Sequence, residues 1–248
     1  MTLELSGTSA LVTGATSGIG KATAMALAEH GARVVLSGRD EVRGKQVVEE
    51  IRAAGGEAYF VRAELHGEAS ARALAVQAKE LAGPIDVLVN NAGIYRFGAT
   101  EHTTEQDFDA VYDLNVKVPF FLVAELAPEM AELGHGAIIN VSTMVAEFGM
   151  AGMALYGSSK AALELLTKSW AAEYGPRGVR VNAVSPGPTR TEGTASMGED
   201  LDALAAAAPA GRPATPHEIA DSIVFLASRR SSFVHGAILP VDGGRVAA

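Results

Sequence analysis

Short β-branched runs alternate with longer, alanine-rich segments of helical period along almost the whole chain. This alternation constrains the fold more than any other feature. Strand signals fall at 10–13, 33–37, 58–61, 87–89, 137–141, 179–184 and 237–241; helical periodicity falls at 19–30, 41–54, 68–82, 105–132, 154–174 and 216–228. Seven strands separated by helices predict an α/β fold, a doubly wound seven-stranded parallel sheet with helices on both faces. Gly31 follows the first helix and Gly55-Gly56 the second, where helix C-terminal caps belong. No stretch reads as a linker, repeat or low-complexity tract, and 205–208 is only a short helical run. Residues 1–248 are therefore expected to form one domain.

Composition narrows the function classes. A net charge of −9 argues against a nucleic-acid partner, which calls for a broad basic footprint. Zero cysteines remove disulfides, thiolate metal sites and cysteine nucleophiles, and the six histidines show no metal-ligand spacing. Met1-Thr2-Leu3-Glu4-Leu5-Ser6 holds no basic stretch leading into an apolar run. No apolar segment approaches the roughly 20 residues of a bilayer span. A cytoplasmic protein without a membrane partner is the expectation.

Thr13-Gly14-Ala15-Thr16-Ser17-Gly18-Ile19-Gly20 follows the first predicted strand and opens the first predicted helix. A tight strand-to-helix turn needs residues without a Cβ if backbone is to approach a pyrophosphate. The helix start adds free N–H groups and the positive end of its dipole. The spacing is G-x-x-x-G-x-G rather than the G-x-G-x-x-G of many dinucleotide-binding folds. Further along come Asn90-Asn91-Ala92-Gly93, Asn115, Tyr156-x-x-x-Lys160, Pro186-Gly187 and Asp242-Gly243-Gly244. With these motifs in this order, the chain resembles the short-chain dehydrogenase/reductase family over nearly its full length. The resemblance implies a Rossmann-type fold, a nicotinamide cofactor, and hydride transfer between an alcohol and a carbonyl. Gly14, Thr16, Ser17, Gly18, Ile19 and Gly20, with Asn91, Ala92 and Gly93, are then expected on the cofactor side.

The second strand ends Val34-Val35-Leu36-Ser37-Gly38-Arg39. In NAD-dependent folds of this kind, an acidic residue about 20 positions beyond the loop binds the adenosine ribose hydroxyls. Gly38 stands in that place here and Arg39 follows it. A guanidinium pairs with a 2′-phosphate that a carboxylate would repel. NADP(H) is the expected cofactor, with Ser37 and Arg39 beside its adenosine end. Glu64 stands where the family usually has an aspartate near the adenine amino group; a solvated surface carboxylate is the alternative reading.

Tyr156 and Lys160 lie one helical turn apart on one face. A free tyrosine titrates near pH 10, and a neighbouring ammonium favours its phenolate. The resemblance implies that Tyr156 exchanges a proton with the substrate oxygen while Lys160 also binds the nicotinamide ribose. It implies too that Asn115 holds a water connecting Lys160 to solvent. The family places a serine 13 residues before the tyrosine; here Thr143 stands there, preceded by Ser142. A threonine hydroxyl has the same donor and acceptor capacity, but its β-methyl restricts χ1. Successive strand side chains face opposite ways, so one of the two hydroxyls is expected at the substrate, with Thr143 favoured over Ser142.

Asn182-Ala183-Val184-Ser185-Pro186-Gly187-Pro188-Thr189-Arg190-Thr191 forms a stiff turn at a strand's carboxyl end, where open α/β sheets bind ligands. The resemblance brings Pro186, Gly187, Thr189 and Thr191 to the nicotinamide and phosphates, and gives 190–212 the task of covering substrate. Tyr95-Arg96-Phe97 and 144–153, including Phe148 and Met150, are expected to line a pocket for a hydrophobic carbonyl or alcohol substrate. A 3-oxoacyl-thioester carried on an acidic protein is a less favoured substrate, since Glu129 and Glu132 precede the fifth strand, although Arg177 is nearby. A cofactor-binding sensor that has lost catalysis is the alternative from another class, and Thr143 is the feature that points to it. A hydride-neutral epimerase or dehydratase calls for a longer chain. The resemblance implies a homotetramer, or a homodimer, built on 105–133, 155–174 and the last strand.

Overall fold

The computed structural model describes residues 3–248. Neighbouring residues of the central strands are buried on opposite faces of one sheet. Leu11, Leu88, Ile138 and Val181 enter one apolar core, and Val12, Val89, Ile139 and Val184 enter the other. Strand side chains alternate in direction, so a strand apolar at every position needs cover on both sides. The first half runs β1 (Ser9–Thr13), α1 (Gly18–Glu29), β2 (Arg33–Gly38), α2 (Glu41–Ala53), β3 (Glu57–Arg62), α3 (Gly67–Ala82) and β4 (Val87–Asn90). The second half runs α4 (Glu105–Tyr112), α5 (Val118–Leu133), β5 (Gly136–Val141), α6 (Ala154–Tyr174), β6 (Val179–Pro186), α7 (Glu199–Ala205), α8 (Pro216–Ala227) and β7 (Ile238–Val241). All pairings are parallel, in the order β3-β2-β1-β4-β5-β6-β7. Helices α1, α2 and α8 cover one face; α3, α5 and α6 cover the other. This is a Rossmann-type doubly wound sheet.

The helix starts differ in a way that bears on function. Asp40 caps α2 by accepting from the Arg43 amide at 3.0 Å, and Thr215 with Glu218 forms a reciprocal cap on α8. Helix α1 has no side-chain cap at Ser17 and no acidic residue in its first turn. Its N-terminal amides are left for a group from elsewhere.

Strand ends shift by one or two residues from the sequence reading, and two helical segments differ more. The helix predicted over 105–132 is interrupted by a wide π-type turn, Asp113–Lys117, between α4 and α5. The extra residue in that turn goes with an inward Asn115, which is fully buried. Helix α7 gives little periodic signal, because only Leu201 and Ala205 of its seven residues are buried. Strand β7 starts at Ile238 rather than 237, the Ala237 amide being bound by Asn182 Oδ1 at 3.0 Å. Among the described residues no helix is long and apolar enough to cross a membrane.

Candidate active site

Strands β1 and β4 are neighbours, and the chain leaves them in opposite directions, to β2 and to β5. Their carboxyl ends therefore open a crevice. The loops after the two strands are bonded to each other. Thr13 Oγ1 accepts from the Asn91 and Ala92 amides, both at 3.0 Å, and Asn91 Nδ2 donates to the Thr13 and Gly14 carbonyls at 2.8 and 3.1 Å. Gly20 makes this approach possible. A Cβ there would lie 2.3 Å from the Gly14 oxygen and 2.4 Å from Asn91 Nδ2.

Gly14 and the run Thr16 to Gly20 line one groove of about 530 Å³. Ser37 and Arg39 at the end of β2, Glu64 after β3, the trio Asn91, Ala92 and Gly93 after β4, and Thr191 complete the same groove. Arg39 is exposed, and among the described residues no carboxylate pairs with it. The neighbouring Asp40 carboxylate is engaged by Arg43 through the cap and a 3.3 Å ion pair. Ser37 Oγ is buried and has no hydrogen-bond partner among the described residues. A Cβ-free cradle, a helix start without a cap from Ser17, an unpaired guanidinium and an orphaned hydroxyl fit an elongated, phosphate-bearing dinucleotide.

Sequence reasoning missed Glu192. Its Oε2 accepts from the Gly18 amide at 2.9 Å, so a carboxylate from 174 residues away sits on the start of α1. The residues at 191–194 are tied down on both sides. Thr191 and Thr194 cap each other, and Tyr95 Oη donates to the Gly193 carbonyl at 2.6 Å.

A second cavity, of about 230 Å³, continues from the groove through Ile19, Asn91, Gly93, Ile94 and Thr191. Tyr156, Lys160, Ser142, Thr143, Pro186, Gly187 and Thr189 line it. Thr143 and Tyr156 share this lining, and the Thr143 hydroxyl acts to lower the pKa of the Tyr156 phenol. Ser142 turns the other way and donates to Glu164 Oε1 at 2.6 Å, so its hydroxyl does not join Thr143 at the phenol. Lys160 Nζ donates to the Val141 carbonyl at 2.8 Å. Asn115 exchanges two 2.9 Å bonds with the backbone of Ile94 and donates to Ser159 Oγ at 3.0 Å. A Cβ on Gly93 would lie 3.2 Å from both Asn115 Oδ1 and Lys160 Nζ, so these two groups converge over the same glycine.

Burial sets the protonation of the pair. It pushes the Tyr156 phenol up to about 12, with the Thr143 hydroxyl opposing and Tyr95 adding to the rise. It pushes the Lys160 ammonium down to about 8, with the nearby Glu164 carboxylate opposing. The rest of the wall is apolar: Ile94, Tyr95, Phe97, Met144, Met153 and Leu204 among others, and Lys160 is the one charged lining residue among those described. Arg96, Phe148 and Met150, expected here, lie outside the lining. Arg96 pairs with Asp107 at 3.2 Å and Phe148 stacks under Arg245, 5.0 Å from the ring centre.

Comparison with known proteins agrees with this geometry. A sequence model of the family described as "Enoyl-(Acyl carrier protein) reductase" matches residues 14–245. Cis-4-hydroxycyclohexanecarboxylate dehydrogenase of Sinomonas cyclohexanicum is 43% identical over 243 residues, covering 96% of each chain. A solved short chain dehydrogenase/reductase family protein is 48% identical, with a TM-score of 0.92 over 99% of this chain and 100% of that one. The gluconate 5-dehydrogenase of Burkholderia cenocepacia J2315, solved in complex with NADP and tartrate, is 34% identical, with a TM-score of 0.93 over 100% of this chain and 98% of that one. Crevice, paired loops and full-length similarity together make this chain a member of the short-chain dehydrogenase/reductase family, an NAD(P)-dependent oxidoreductase acting on alcohol and carbonyl groups.

Proposed function

We propose that the chain is an NADP(H)-dependent reductase of small hydrophobic ketones, or a dehydrogenase of the matching secondary alcohols, with Tyr156 as the proton-transferring residue. The observation that carries this reading is that Tyr156, Lys160 and Thr143 together line an apolar cavity continuous with the glycine-loop groove. When bound, the cofactor supplies or accepts the hydride. Arg39 would hold the 2′-phosphate, the α1 amides and Thr191 the pyrophosphate, and Ser37 and Glu64 the adenosine. Asn91, Ala92, Gly93, Pro186, Gly187 and Thr189 would form the wall at the nicotinamide end.

Thr143 and Tyr156 both line the cavity, and their hydroxyls are the pair to meet a carbonyl oxygen there. In reduction Tyr156 gives its proton to the developing alkoxide; in oxidation it takes the proton back. A phenol held near 12 stays protonated at neutral pH, which suits reduction. Oxidation needs the phenolate, which an ammonium at Lys160, one helical turn away, would favour. Asn115, whose Oδ1 converges with Lys160 Nζ over Gly93, is the residue that would hold a water beside Lys160.

The apolar wall supports a substrate without a carboxylate near its reacting carbon, because a buried anion there would meet no cation but Lys160. A cyclic or aromatic ketone of modest size suits about 230 Å³. An acyl-carrier substrate is disfavoured by Glu129 and Glu132 at the end of α5. The exposed Phe120 and Leu165 give α5 and α6 an apolar outer face suited to a homodimer or homotetramer. Tyr156→Phe is the test of the chemistry. It is expected to abolish NADPH-dependent reduction across a ketone panel and to leave the NADPH dissociation constant within about twofold. A variant that turns over normally would overturn the mechanism.

A further inference from the structure

One face of α6 presents Tyr156, Lys160, Glu164 and Thr167 at intervals of three and four residues, stacked against the end of β5. Each meets groups on that strand or just beyond it. Thr143 lines the same cavity as Tyr156 and lowers the pKa of its phenol, and the Val141 carbonyl accepts from Lys160 Nζ. Ser142 Oγ donates to Glu164 Oε1, and Asn140 Nδ2 donates to Thr167 Oγ1 at 2.8 Å. Asn140 and Thr167 extend a buried polar ladder to Asn90, which is structural. Glu164 has no such explanation. It is 9% exposed on a helix between Leu163 and Leu165, where an apolar residue would pack at no desolvation cost.

What Glu164 faces accounts for it. Lys160 lies one turn before it, and the two side chains are tied to successive residues, Val141 and Ser142. The other charged groups facing Glu164 are Lys168, further along α6, and Glu147 from the loop after β5. Glu147 is exposed and accepts from Ser185 Oγ at 3.0 Å. We propose that Glu164 is a positioning residue for the proton-transfer pair: its carboxylate, anchored on Ser142, holds Lys160 as the ammonium and fixes the strand end from which Thr143 reaches Tyr156. The proposal rests on the reading of Tyr156 and Lys160 given above.

The direction of its effect follows from the charges. Burial pushes the Glu164 carboxyl up, and the Ser142 hydroxyl pulls it back toward the charged form. Burial pushes Lys160 down, and the Glu164 carboxylate opposes that. Replacing the carboxylate by a neutral amide of the same shape leaves Lys160 with burial unopposed. Its ammonium is then lost at lower pH, and the alkaline fall of kcat moves acidward with it.

The experiment uses the full chain, with NADPH and 4-methylcyclohexanone for the rate profile. The Lys160 amine is titrated separately by ¹⁵N-lysine NMR without cofactor. Glu164→Gln is expected to keep native circular dichroism and an NADPH KM within about twofold. Its Lys160 titration and the alkaline limb of kcat should both fall by about one pH unit, a tenfold change in the proton equilibrium. Glu164→Asp should restore more than half of that shift. Ser142→Ala, which keeps the acid but removes its anchor, should move Lys160 in the same direction by less, and it serves if Glu164→Gln does not fold. A Lys160 titration unchanged in both Glu164→Gln and Ser142→Ala overturns the proposal. Failure of the underlying reading looks different: Tyr156→Phe would stay active while Lys160 still responded to Glu164.

Discussion

Arg39→Ala tests the cofactor assignment most directly, because among the described residues no other group engages the side chain. Arg39 stands exposed at the end of β2 on the rim of the groove, and Asp40 beside it is spent on capping α2. A hydrogen bond to a charged group contributes about 1.5–3 kcal/mol, whereas solvent-exposed ion pairs contribute at most about 1 kcal/mol. A bidentate guanidinium on a doubly charged phosphate at an exposed rim falls near the lower end of the first range. About 1.5 kcal/mol corresponds to roughly tenfold in affinity. Calorimetric dissociation constants for NADPH and NADH should therefore show the preference for NADPH shrinking about tenfold in Arg39→Ala, with NADH binding unchanged. In 1 M salt, where screening acts within about 3 Å, the preference of the unaltered protein should shrink as well. Two results would refute the reasoning: NADH bound as tightly as NADPH by the unaltered protein, or a variant that weakens both cofactors equally.

The remaining predictions concern the hydroxyls and the helix start. Thr143→Ala removes a hydroxyl proposed to meet the substrate oxygen and should lower kcat by about 10²–10³, with Thr143→Ser recovering most of it. Ser142→Ala should cost less than tenfold, and the reverse ranking in parallel kinetics would exchange the two roles. Glu192→Gln removes a carboxylate from the Gly18 amide, where the pyrophosphate is proposed to sit. A charge at a helix terminus contributes about 0.3–1 kcal/mol, so the variant should bind NADPH about two- to fivefold more tightly. Weaker calorimetric binding would count against competition at α1.

The sheet, the glycine loop and the Tyr156–Lys160 face were legible in the sequence because each depends on spacing within a short window. Continuous apolar strands report cover on both faces, period 3.6 reports the covered face of a helix, and Gly20 reports a backbone contact that its own absent side chain permits. Contacts chosen by the tertiary fold leave no such trace. Glu192 reaches Gly18 across 174 residues, and its local sequence looks like an ordinary acidic helix start. The π-type turn at Asp113–Lys117 exists where Asn115 meets Ile94, a partner that helical periodicity does not encode.

Ser142 and Thr143 mark the boundary between the two kinds of information. Strand alternation already requires the adjacent hydroxyls to diverge. What each one meets depends on how α6 lies across the end of β5. Glu164 was the clue available beforehand: an acid eight residues after Tyr156, on the same helical face, between two leucines. A carboxylate in that setting calls for a donor and a positive charge within reach. Ser142 is the donor at 2.6 Å and Lys160 the charge one turn away. The serine that first competed with Thr143 for the substrate thus has a different partner, and that partner acts on the lysine beneath the phenol.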